Sequence, residues 1–161
     1  MATTTKGTAK VTLPSDDQIL ITRDFAAPRH LVYRAYTTPE LVARWWHADR
    51  GTVDSIDIDL RAGGRWRYAM TAHAGFPVVF HGEYLEVVPD EKLVSTEVFE
   101  GMPEAAATTT ATFTDVEGGT RLAILVQHKN RAFRDAHVQS GMEDGLQDAL
   151  DHLEELAAGA A

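Results

Sequence analysis

His81, Glu83 and Tyr84 stand within four residues of one another. Proton transfer needs titratable groups gathered in this way beside a substrate, in a site of low dielectric. Strand alternation divides them, because His81 and Glu83 fall on one face and Tyr84 on the other unless Gly82 carries a bulge. The competing reading is an exposed pair on the outer face of a sheet. The other histidines, His30, His47, His73, His128, His137 and His152, are scattered. None makes a His-Glu-x-x-His pattern or another dense ligand cluster, so neither a metal nor a cofactor is expected. His81 and His128 lie in predicted strands, and each reads either as an inward polar anchor or as a hydrogen-bonded histidine of the surface or rim. The chain has no cysteine and no Gly-x-Ser-x-Gly elbow, which leaves no nucleophile motif. Gly63-Gly64 and Gly118-Gly119 do not open a helix after a strand, so they read as turns rather than phosphate loops. No catalytic residue is assigned.

A second set of residues suggests binding rather than reaction. Trp66, Tyr68 and Met70 alternate with Arg65, Arg67 and Ala69, which gives one apolar face and one wet face. That face is either plain core or the floor of a pocket, and large aromatics are frequent pocket walls. Trp45 and Trp46 are adjacent on a predicted helix and point about 100° apart, so they do not both face one pocket squarely. Phe80, His81, Tyr84, Phe99 and Phe113 are further candidate walls or anchors. Met142 and Leu146, four residues apart on a predicted helix, would supply the opposite side.

The elements that must position these groups follow from the period of the apolar residues. Residues 1–14 read as a flexible lead-in. Gln18–Ala26 is the first strand, with Ile19, Ile21 and Phe25 on one face. Two short helices follow, one opened by Pro28 and one by Thr38-Pro39-Glu40, with Thr38 as N-cap. The period then changes to two, and about six strands run to His128, joined by short turns at Ala62-Gly63-Gly64, Pro89–Lys92 and Glu117-Gly118-Gly119. Short connections between consecutive strands imply an antiparallel meander. From Asn130 to about Ala158 the pattern predicts one long helical segment, with Val138, Met142, Leu146, Ala149, Leu153 and Leu156 on its apolar stripe. Gly141 and Gly145 each cost about 1 kcal/mol of helix propensity relative to alanine. Close approach to the sheet, or room left for something else, would explain them. The expected fold is α+β: a curved antiparallel sheet wrapped round a long C-terminal helix, with residues 15–158 as one domain and 159–161 as a tail.

Bulk properties exclude several functions. The 161 residues carry 24 acidic and 15 basic side chains, a net charge of −9. Such a surface repels phosphate backbones and anionic lipid, so neither nucleic acid nor membrane is an expected partner. No window approaches the ~18 apolar residues of a membrane span. Residues 1–10 lack the apolar stretch of a secretory signal, so the expected location is the cytoplasm.

The segment Ile19–Pro28 with Leu31–Thr37 resembles the opening of bacterial domains related to the C-terminal domain of the Hsp90 ATPase activator. These domains belong to the START-like, Bet v 1-like superfamily. The resemblance continues through Pro39–Trp46, Asp59–Trp66, Phe80–Tyr84, Val88-Pro89, Leu93–Thr96, Gly118–Leu122 and Gly141–Leu146, spanning about residues 19–157. It implies the helix-grip fold and an internal hydrophobic cavity. The expected function is therefore binding of a small hydrophobic or amphipathic molecule between the sheet and the C-terminal helix. A cyclase- or hydrolase-type enzyme using an inward Glu, His or Tyr is the alternative, and a chaperone-interaction module is a second. In the eukaryotic activator a separate N-terminal domain takes part in chaperone binding. About 14 residues before the first strand are too few for one, so a chaperone partner is not expected. A homodimer through a strand edge or helix face is compatible with the sequence, though no residue pattern demands it.

Overall fold

In the computed structural model, which describes residues 8–159, apolar alternation builds the sheet and apolar 3.6-periodicity covers it. A short strand, β1 (Lys10–Thr12), pairs antiparallel with β2 (Gln18–Phe25). Two helices follow, α1 (Arg29–Thr37) and α2 (Pro39–Trp45). Six strands come next: β3 (Gly51–Ile58), β4 (Arg65–Ala72), β5 (Pro77–Val88), β6 (Lys92–Phe99), β7 (Ala107–Val116) and β8 (Gly119–Gln127). A 3-10 turn at Pro103–Ala105 precedes β7. Helices α3 (Arg131–Gln139) and α4 (Met142–Gly159) complete the described chain. Among the described residues, no helix is long and apolar enough to cross a membrane.

The eight strands form one antiparallel sheet in the order β1-β2-β8-β7-β6-β5-β4-β3. The meander is the expected one, and β2 closes it by pairing with the last strand. Ile19, Ile21 and Phe25 of β2 meet Leu122 of β8 and Leu150 and Leu153 of α4 in the buried core. Helices α1 and α2 pack against α4, so all the helices that cover the concave face share one interior.

Three features differ from the sequence reading. Lys10–Thr12 is a strand rather than part of a lead-in: Val11 lies opposite Ile21 and packs on the core, a signal too short to register as alternation. Residues 1–7, also read as lead-in, and 160–161 of the expected tail lie outside the described residues. The C-terminal helical segment is broken at Ser140-Gly141, where Gly141 takes φ +84°. That left-handed residue re-aims the chain, and the long helix is α4 alone. Thr38 has extended N-cap geometry but makes no side-chain capping bond, and Pro28 is the N-cap of α1 rather than its first residue. Asn130 does cap α3, its Oδ1 accepting from Phe133 N at 2.9 Å.

One buried polar cluster locks helix to sheet. Alternation along β2 turns Arg23 inward with Ile21 and Phe25, and it is 2% exposed. Its Nη1 donates to Asp151 and its Nη2 to Glu154, both on α4. Glu154 Oε2 also accepts from the backbone of Ala26 at 3.0 Å.

Candidate functional site

A cavity of about 340 Å³ lies between the concave face and α4. Its floor comes from alternate residues of neighbouring strands. Trp66, Tyr68 and Met70 come from β4, and Phe80 and Tyr84 from β5. Leu93, Ser95 and Glu97 follow from β6, and Thr109 and Ala111 from β7. Met142, Gly145, Leu146 and Leu150 of α4 form the roof. A Cβ at Gly145 would make ordinary contact with the Arg50 side chain, at 3.7 Å, so no neighbouring backbone approaches this glycine.

The tryptophans close the remaining side. Trp45, the last residue of α2, is buried, stacks on Tyr36 at 5.6 Å and donates from Nε1 to Ala35 O at 2.9 Å. Trp46 sits at the C-cap and makes edge-on contacts with Tyr68 at 5.4 Å and Phe80 at 6.1 Å. Trp66 leans on Tyr68 at 4.8 Å. Trp46, Tyr68, Phe80 and Trp66 thus form one continuous aromatic wall, and both adjacent tryptophans reach the cavity.

The turn after α2 forms part of the rim. Ala48 and Asp49 both hold positive φ, 51° and 61°, a costly conformation for non-glycine residues. Side chains hold it there: His152 on α4 contacts Asp49 Oδ2 at 2.8 Å, and Arg50 bonds Asp148 Oδ2 at 2.9 Å. The histidine contact also holds the Asp49 carboxyl below its usual range.

Of the sequence-predicted site residues, Trp45, Trp46, Trp66, Tyr68, Met70, Phe80, Tyr84, Met142 and Leu146 line the cavity. Three do not. The alternation runs unbroken through Gly82, so His81 points away from Tyr84, and its Nδ1 lies 2.9 Å from Glu100 on the outer surface. Glu83 is exposed on the same face. Phe99 lies opposite Phe80 at the end of β6 and is 39% exposed. Phe113 faces inward but beyond the cavity, packed against Tyr33 and Tyr36 at 5.3 and 5.5 Å. His128 follows β8, is buried, and shares a 3.0 Å contact with His137.

Glu97, Tyr36 and His137 also line the cavity and were not anticipated. Glu97 is deep within the protein yet partly open, because its free surface is the cavity's own. Burial pushes its carboxyl above the usual range, with the Thr109 hydroxyl opposing this. Burial also pushes up the phenols of Tyr36, Tyr68 and Tyr84, and the Glu97 carboxyl adds to the effect at Tyr36 and Tyr68. His137, on α3, lines the cavity and is held down to about 4, first by burial and then by His128. Within the described residues, the Trp66 Nε1 is buried without a hydrogen-bond partner. Glu97 could have been found by counting inward positions from Leu93 through Ser95, which sets a carboxyl on an apolar face. Tyr36 and His137 carried no such signal. No cluster of three or more metal-ligating side chains forms among the described residues.

The closest chemistry this arrangement offers is that of an apolar chamber with a few unpaired polar groups in its depth. No curated protein matches the chain. Solved structures do. A Rhodobacter sphaeroides protein is 25% identical with a TM-score of 0.87, and the alignment covers 94% of this chain and 99% of that one. A Nitrosomonas europaea protein is 25% identical with a TM-score of 0.82, over 92% and 98% of the two chains. A Chromobacterium violaceum protein is 28% identical with a TM-score of 0.74, over 89% and 98%. These neighbours share the helix-grip arrangement of sheet and C-terminal helix, as expected from the sequence. The family described as Activator of Hsp90 ATPase homolog 1-like protein matches residues 26–158, and the chain belongs to that family.

Proposed function

We propose that this protein binds a small molecule, apolar over most of its surface, in the cavity between the sheet and α4. The observation that carries this reading is the unfilled chamber of about 340 Å³ walled by Trp46, Trp66, Tyr68 and Phe80. A side-chain core is normally packed to crystal density. Here large aromatics surround space instead, at a volume within the usual range of ligand sites. The cytoplasm is the location in keeping with this reading and with the absence of cysteine.

Native mass spectrometry of the purified protein, followed by denaturing extraction, tests the proposal. A co-purifying small molecule would support it, and the same spectrum would report any dimer. A clean mass together with no uptake of apolar probes such as naphthalene derivatives would count against it. Trp66→Ala should weaken uptake of such a probe by about tenfold, since a large part of the aromatic wall is removed. Unchanged affinity in a cooperatively melting variant would take Trp66 out of the binding wall.

A second reading, acid–base catalysis in the same chamber, keeps one favourable observation: Glu97, His137 and three tyrosines reach the cavity. Turnover of an extracted ligand by wild type and not by Glu97→Gln would favour that reading over simple binding.

A further inference from the structure

Glu97 is a carboxyl without a countercharge. It faces a cavity rather than solvent, no cation of the described residues pairs with it, and the Thr109 hydroxyl is the neighbour that favours its ionised form. The phenols of Tyr36, Tyr68 and Tyr84 line the same cavity, and the Glu97 carboxyl acts on those of Tyr36 and Tyr68. Beside these lies the aromatic wall, in which Tyr68 touches both Trp46 and Trp66.

A lone carboxylate among aromatic faces is complementary to a cation. An ammonium group gains the ring quadrupoles, supplies the missing countercharge, and can donate its N–H groups to phenolic oxygens, which accept as well as donate. A ligand carboxylate would meet like charge in a site of low dielectric. The net charge of −9 draws cations towards the chain from a distance. Resting on the reading of the cavity as a ligand site, we propose that the cavity selects a protonated amine: an apolar body whose single ammonium group pairs with Glu97 beside the Trp46–Tyr68–Trp66 wall.

Three probes that share one body separate this proposal from the cavity reading on which it rests. They are naphthylmethylamine, naphthylmethanol and naphthoate, titrated calorimetrically into the full chain. The amine should bind at least about tenfold more tightly than the alcohol, and naphthoate most weakly. Glu97→Gln, close in shape, should abolish the amine's advantage and leave the alcohol's affinity within about twofold. In wild type the amine's advantage should fall as the pH drops from about 8 to about 5, because protonating Glu97 removes the countercharge. The other titratable or charged groups on the cavity lining are His47 and Arg50 at the rim, His137 of α3, and the three tyrosines; α4 contributes none. An alcohol that binds as well as the amine, or an advantage that survives Glu97→Gln, would overturn the amine proposal while leaving the cavity reading intact. An advantage that grows on acidification would do the same. Binding of none of the three would overturn both. The wild-type comparison and its pH dependence decide the matter even where Glu97→Gln does not fold.

Discussion

Replacing Arg23 with alanine should cost the protein about 3–5 kcal/mol, the penalty for breaking a buried ion pair from one side. Arg23 is 2% exposed, and Asp151 and Glu154 are 9% and 7% exposed. Without the guanidinium, two carboxylates of α4 would lose their shared buried cation. The backbone N–H of Ala26 would still donate to Glu154. The guanidinium also lies 5.0 Å from the Phe25 ring centroid, so some packing goes with the charge. Urea denaturation of wild type and Arg23→Ala measures the loss directly. The triple variant Arg23→Met, Asp151→Leu, Glu154→Leu should recover much of it, since an apolar replacement of similar volume removes the guanidinium and both carboxylates together. A single variant within about 1 kcal/mol of wild type would show that water reaches the pair and that α4 is held by its apolar stripe alone.

Gly82→Ala should be almost as damaging, for a steric reason. A Cβ at Gly82 would lie 1.8 Å from the Thr96 carbonyl oxygen and 2.7 Å from Trp66 Nε1. The indole could turn aside, but the carbonyl belongs to the strand next to β5, and moving it opens the β5–β6 pairing. Overpacking of this kind costs about 3 kcal/mol, which for a domain of this size lowers the melting temperature by roughly 6–12 °C. Thermal denaturation checks the figure, and indole fluorescence of the native state should shift as Trp66 is displaced into the cavity. A variant that melts with wild type would mean that β5 and β6 slide past each other locally at little cost.

Gly82 also shows where sequence reading stops. A glycine inside a strand signals either a bulge or a close approach, and the two look alike in the sequence. The register settles it. Trp66 lies directly opposite Gly82, and the irregularities of the sheet fall elsewhere, between Val53 and Ser55 and between Tyr84 and Glu86. Trp66, Tyr68 and Met70 were legible because strict alternation fixes their common face. Met142 and Leu146 were legible because helical spacing does the same. Phe113 and Phe99 were legible as to strand but not as to position along it: one lies past the cavity under α1, the other at the far end of β6. Glu97 was overlooked because a search for paired or clustered carboxylates passes over a solitary one, although solitude on an apolar face is what gives it an unusual environment. The break at Gly141 was hidden by continuity, since Val138 and Met142 keep a four-residue step across a turn that redirects the chain.

The place of β2 in the sheet has a consequence for how the protein is made. Gln18 and Gln127 are 109 residues apart and are hydrogen-bonded side by side. During synthesis β2, α1 and α2 leave the ribosome long before β8 exists, while β3 to β8 can zip in order as each hairpin emerges. The amino-terminal third must therefore wait with its apolar faces uncovered, and its docking is delayed until the strand that receives it has been translated. Non-local closure of this kind slows folding, and chains held open in this way are the ones that aggregate or call on chaperones. The chamber is completed last, by the return of the first elements and the arrival of α4, so a ligand present at that moment could enter before the walls meet.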